Sequence, residues 1–227
     1  MKASSAKIKR SATLLIPGTA CNLNCSYCYR KGQGVQDRSI PAKFNYPVEH
    51  MLKALSKKRL GGPTVFIICG GGETMLPKEA VPLVKGLLKE GHVVDLITNL
   101  TLSDRVAELL DAPKEDLERL VIKASFHYLE LKNLNKLDDY FNNFKKVIAA
   151  GASGSPILTI SEEYRPLLDE IKEAWQKNIN DLGHCTAALD NFNTTLSTRS
   201  FYTPEFVEIV KNKFGSKIFE TYDKLLS

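Results

Sequence analysis

Three cysteines fall within eight residues, Cys21, Cys25 and Cys28, spaced C-x3-C-x2-C. Positions i, i+4 and i+7 share a helix face, so three small core residues would be the plain alternative. The neighbours oppose a helix: Pro17 and Gly18 open a loop, and Asn22, Asn24 and Ser26 favour turns. Thiolates are soft donors that suit zinc or an iron–sulfur cluster. Structural zinc wants four closed ligands, and the fourth could come only from distant Cys69, Cys185 or His184. A cubane cluster normally takes four cysteines, so three leave one iron open to a chelating cofactor. The spacing points to a [4Fe-4S] cluster ahead of zinc.

The elements that must hold this loop read as alternating strands and helices. Strands are expected at 12–17, 64–69, 93–98, 120–126, 156–160 and, more weakly, 184–189. The 64–69 run, TVFIIC, is nearly all apolar, as for a strand buried on both faces. Helices are expected at 47–60, 78–90, 103–110, 137–150, 163–177 and 204–226. Gly91 and Gly151 end two of them, and Ser103 or Asp104 caps the third. Apolar stripes are Leu137, Tyr140, Phe141, Phe144, Val147 and Ile148 in one helix, Leu167, Leu168, Ile171 and Trp175 in the next, and Phe206, Ile209, Val210 and Phe219 in the last. Six strand–helix units in order argue for a parallel sheet with right-handed crossovers and a ligand site at the carboxyl ends of the strands. The cysteine loop follows the first strand directly. The segment 31–45 is long and irregular, a candidate functional loop.

The second strand ends in Cys69-Gly70-Gly71-Gly72-Glu73-Thr74. It has neither dinucleotide nor P-loop spacing. Glycine lets backbone approach a ligand closely, and Glu73 falls at the same end of the sheet as the cysteines. A carboxylate there can receive a charge-assisted hydrogen bond from an ammonium group.

With 227 residues the expectation is one domain over 1–227, its barrel at about 12–190 and a C-terminal helical segment at about 203–226. The composition, 43% hydrophobic and 25% charged, is that of a globular protein. The net charge of +5 falls short of a nucleic-acid signature, because Lys and Arg are spread thinly among Asp and Glu. Neither a transmembrane run nor a signal core is found, so no membrane partner and a cytoplasmic address are expected.

The run Cys21-Asn22-Leu23-Asn24-Cys25-Ser26-Tyr27-Cys28-Tyr29 resembles the signature loop of the radical S-adenosylmethionine (SAM) superfamily, aromatic residue included. The Gly71-Gly72-Glu73 segment resembles that family's Gly-Gly-Glu-Pro motif, with Thr74 where proline is usual. The resemblance implies an α/β fold, a partial (β/α)6 TIM-like barrel of parallel strands. It implies a cluster held by Cys21, Cys25 and Cys28, an open iron chelating SAM, Tyr27 near the adenine, and Gly71, Gly72 and Glu73 at the SAM amino group. An electron passed into SAM yields a 5′-deoxyadenosyl radical, which removes hydrogen from a substrate. The implied electron donor is a flavodoxin- or ferredoxin-type protein.

Polar residues at the later strand ends are candidates to complete the pocket: Asn99 and Ser125 for SAM, His127 for the substrate side. Cys69 reads as a buried small hydrophobe. Cys185 reads first as core and second as a hydrogen-atom donor. The chain is similar to the core of peptide-modifying family members, without a cysteine-rich extension after Cys185 or a winged-helix module at the start. A peptide or small-molecule substrate is therefore expected. The alternatives are a glycyl-radical-enzyme activase and a non-enzymatic zinc-binding interaction domain.

Overall fold

The computed structural model describes residues 7–32, 39, 43–179, 184–187, 189–190, 197–198 and 203–215. They group into two compact units, the first from 1–22, 37–124 and 142–154, the second from 23–36, 125–141 and 155–227.

The first unit carries β1 (Ser11–Ile16), β2 (Val65–Gly70), β3 (Val93–Thr98) and β4 (Leu120–Ser125), parallel and in chain order. The register sets Ile16 beside Gly70, Ile68 beside Leu96, and Thr98 beside Ala124. Alternation decides the faces. Phe66, Ile68, Val94, Leu96, Leu120 and Ile122 are fully buried, whereas Val65, Ile67, Val93, Asp95 and Ile97 on the other face are only half-buried. Strand β2 is therefore not buried on both faces, and Cys69 lies half-exposed rather than in the core. The helix Ala80–Lys89 turns Val81, Leu83, Val84, Leu87 and Leu88 inward, each fully buried aliphatic side chain stabilising by about 1.5–3 kcal/mol. It ends at Gly91, whose φ of 87° is one that other residues rarely adopt.

Several helix expectations change. The single 47–60 helix is two, Val48–Ala54 and Lys57–Leu60, because Ser56 takes an extended ψ of 147°. The helix Ser103–Leu110 begins after Leu102, so Ser103 is inside it and is not the cap. The helix Leu137–Ala149 buries Tyr140, Phe141, Phe144 and Val147, but leaves Ile148 45% exposed.

The second unit pairs β5 (Ser153–Ile160), most of whose residues belong to it, with β6 (His184–Ala187) in parallel, Ile157 beside His184 and Ile160 beside Ala187. Phe126 N donates to Ile157 O at 2.7 Å. Its ring centres the aromatic core, with Tyr140 at 4.9 Å, Phe141 at 5.4 Å and Trp175 at 5.5 Å between centroids.

The expected 163–177 helix is a 3-10 turn, Glu162–Leu167, followed by the α-helix Leu168–Ile179. Pro166 lacks the N–H for a regular helix at that point, and Leu167 is only half-buried. Strand β6 is shorter than expected, ending at Ala187; Leu189–Asp190 pairs antiparallel with Ser197–Thr198. The final helix is described over Pro204–Phe214, capped by Thr203, whose hydroxyl accepts from Phe206 N at 3.2 Å. Its expected continuation through Phe219 to 226, and most of the irregular 31–45 segment, lie outside the described residues. Among the described residues no helix is long and apolar enough to cross a membrane.

Candidate functional site

In the first unit, β1 delivers the chain into Pro17 and Gly18, the latter at φ 101°, and on through Thr19 and Ala20 to Cys21. The end of β2 closes against this turn. Glu73 N donates to Ala20 O at 2.9 Å. Gly72 has no room for a side chain: a Cβ there would stand 2.0 Å from Ala20 O and 2.8 Å from the Thr19 carbonyl carbon. The glycine is required by close backbone approach.

Glu73 is 4% exposed. Its Oε1 accepts from the Thr98 hydroxyl at 2.6 Å and from Met75 N at 3.0 Å, and its Oε2 accepts from Asn99 N at 2.8 Å. Burial pushes the carboxyl above the usual carboxylate range, against the pull of these three bonds. One acceptor position on Oε2 is left over.

Asn99, expected at the cofactor, is 4% exposed and ties the loop down. Its amide nitrogen donates to Asn22 Oδ1 at 2.9 Å, and its Oδ1 accepts from Thr101 N at 3.1 Å and the Thr101 hydroxyl at 2.7 Å. Asn22 Nδ2 in turn donates to Thr101 Oγ1 at 2.7 Å. Sequence reasoning passed over Ala20, Asn22 and Thr101 as site residues. Only Asn22 carried a signal, a short polar side chain inside the cysteine loop that can bond locally.

In the second unit, Cys25 is 8% exposed and Cys28 half-buried, and Cys28 N donates to Cys25 O at 3.3 Å in one turn. None of the five cysteines is in a disulfide. Among the described residues no group of three or more His, Cys, Asp or Glu side chains is placed to hold a metal ion. Asn24 N donates to Glu130 Oε1 at 2.9 Å, Lys31 Nζ to Asn24 O at 3.0 Å, and the Ser26 hydroxyl to Glu163.

Tyr27 is 6% exposed. The Tyr164 hydroxyl donates to the Tyr27 oxygen at 3.1 Å, and His127 Nδ1 lies 2.7 Å from it. Burial, together with the neighbouring Tyr164, holds the Tyr27 phenol far above its ordinary pKa, so it stays neutral. Tyr27 and His127, expected on different sides of the pocket, therefore meet. Ser125 is half-buried at the end of β4. Cys185 is half-buried on β6, and burial pushes its thiol up to about 12. Glu162, from the fifth strand end, accepts from Thr203 N at 3.2 Å and pairs with Arg165, a structural tie.

Known proteins resemble this chain in sequence over part of its length and in fold over most of it. Residues 15–124, from the end of β1 through β4, match the family described as the Radical SAM superfamily. Among solved structures, Streptococcus suis SuiB bound to precursor peptide SuiA is 15% identical, with 96% of this chain and 52% of that chain covered and a TM-score of 0.62. Native anSMEcpe with bound AdoMet and Cp18Cys peptide is 16% identical over 95% of this chain and 61% of that one, TM-score 0.60. A spore photoproduct lyase, solved as a cysteine-to-serine mutant, is 13% identical over 97% and 78%, TM-score 0.58. No curated protein matches the chain. The chain spans about half the length of SuiB.

A stretch of just under half of the chain thus matches the radical SAM superfamily, and the chain has the α/β partial-barrel fold of parallel strands that these structures share.

Proposed function

We propose that this protein binds a [4Fe-4S] cluster through Cys21, Cys25 and Cys28, binds SAM beside it, and uses the pair to remove a hydrogen atom from a peptide or small-molecule substrate. The donor set suits the cluster: three thiols on eight consecutive residues, none in a disulfide. When bound, the cluster and SAM supply one-electron cleavage of SAM and the hydrogen-abstracting species.

The chain's own residues position these groups. The observation that carries the reading is the lock between Glu73 N and Ala20 O, which fixes the glycine–glutamate segment against the residue before Cys21. Gly72 permits that approach. The leftover acceptor position on Glu73 Oε2 is where the SAM ammonium would donate. Asn99 and Thr101 hold Asn22, and so orient the chain on the far side of Cys21. Tyr27 presents a neutral phenol to His127, and Ser125 supplies a hydroxyl for the SAM ribose or carboxylate.

The peptide reading of the substrate is supported by SuiB and anSMEcpe, both solved with peptides. A flavodoxin- or ferredoxin-type electron donor suits the net charge of +5. The test is anaerobic reconstitution followed by incubation with SAM and dithionite. A brown protein with about four irons per chain that releases 5′-deoxyadenosine is expected. A colourless protein, or one that holds iron yet releases none of the nucleoside, would refute the proposal.

A further inference from the structure

Strand β1 pairs only with β2 among the described residues. Arg10 O accepts from Val65 N at 3.0 Å, and peptide groups alternate sides along a strand. The N–H and C=O groups of Ser11, Thr13 and Leu15 therefore face away from β2, at the sheet edge. Natural edge strands are usually blunted by charge, proline or a covering element. This one instead presents Leu15, 70% exposed.

Beside it lies a groove of about 350 Å³ with Leu14, Leu15, Phe44, Tyr46, Met51 and Leu55 in its lining. Tyr46, 58% exposed, stacks on His50 with centroids 4.8 Å apart and walls one side. The surroundings are strongly basic. Segments 7–16 and 43–60, which together build the edge and the groove, hold eight Lys or Arg and a single acid, Glu49. Lys43 lines the groove itself, and the Arg10 guanidinium lies against Gly61, at the end of the Lys57–Leu60 helix.

We propose that the β1 edge and this groove dock an extended, acidic peptide segment, which adds a strand to the sheet. Main-chain hydrogen bonds to Ser11, Thr13 and Leu15 would supply affinity, alternate apolar side chains would enter the groove, and acidic ones would meet the cations. A second copy of this chain fits poorly, since it would bring the same cations face to face. Strand β1 runs straight into the cysteine loop, so a segment lying along it leads toward the reactive end of the sheet. That the segment belongs to the substrate rests on the function proposed above; the docking itself does not.

The experiment uses the full chain and a fluorescein-labelled, capped octapeptide alternating Glu with Val and Thr, read by anisotropy without SAM or reductant. Binding is expected at low salt and weakens about tenfold or more toward 0.3 M salt. Leu15→Glu weakens it by a similar factor while leaving the circular dichroism spectrum unchanged, because the side chain is already exposed. N-methylation of alternate probe residues abolishes binding. Equal binding of the N-methylated probe, or displacement by single-stranded DNA at the same charge concentration, overturns strand addition and leaves a general anion surface or a nucleic-acid site. Absence of binding by the probe at low salt overturns it as well. Production of 5′-deoxyadenosine, measured separately, is untouched by any of these outcomes, so the docking and the cofactor chemistry fail independently.

Discussion

Glu73 N donates to Ala20 O across 2.9 Å, and the residue just before that bond, Gly72, has Ala20 O at 2.0 Å from where a Cβ would be. The two loops that flank the first cysteine are thus one backbone-to-backbone contact, with no side chain in it that could yield.

Gly72→Ala follows directly. The new methyl meets only carbonyl atoms, so a loop must shift, at a cost of about 1–3 kcal/mol or more. Thermal unfolding should show a lowered midpoint, and the reconstituted variant should hold less iron. Gly70→Ala meets Ile16 O at 3.4 Å and should lose much less. Equal stability of the two variants would contradict the close-approach account.

Glu73→Gln removes one acceptor and turns an amide donor toward a donor. The oxygen can still serve Thr98 and Met75, but the NH2 group then confronts Asn99 N–H. A loss of roughly 1–3 kcal/mol is expected in urea unfolding. SAM affinity, measured by equilibrium dialysis where the variant is folded, should fall about tenfold or more. A variant with the lost stability and unchanged SAM affinity would leave Glu73 a purely structural tie.

Cysteine replacements separate the proposed cluster ligands from the rest. Serine at Cys21, Cys25 or Cys28 should abolish the brown absorbance and most bound iron. Serine at Cys69 should leave both intact. Cys185, whose thiol burial raises to about 12, should likewise spare the iron and resist iodoacetamide at pH 8 in the folded protein, because its thiolate is absent there. Iron content and mass-mapped alkylation check this directly.

His92 sets a pH dependence. It is fully buried, its Nδ1 accepts from Thr64 N at 3.1 Å, and its Nε2 donates to Leu55 O at 2.9 Å, which requires the neutral ring. Burial lowers its pKa below the ordinary histidine value. The unfolded chain therefore binds the proton more tightly, so the stability from His92 is complete above about pH 6.5. It drains away as pH falls through the lowered value. Urea midpoints at pH 7.5 and 5.5 should differ more in the wild type than in His92→Gln.

The candidate site was partly legible in the sequence because its parts are local. Cysteine spacing and the Gly-Gly-Glu run are readable without a fold, and so is their position after the first two strands. Asn99 reads in sequence as a strand-end residue, but in the fold it grips Asn22, 77 residues away in the chain. Nothing local announces that partnership. Tyr27 and His127 belong to separate segments of the sequence, and their contact at 2.7 Å spans 100 residues.

The sequence by itself determined the alternation of strands and helices and the cysteine loop, because hydrophobic period, turn residues and cysteine spacing act over a few neighbours. Tertiary structure decided which strand faces are covered, which is why Cys69 lies half-exposed on the opposite face from fully buried Ile68. It also decided that Gly72 is a contact point and that Ser56 breaks a helix the pattern would have continued. Those outcomes depend on what packs against each residue, and an apolar side chain looks the same in sequence whether its partner is present or missing.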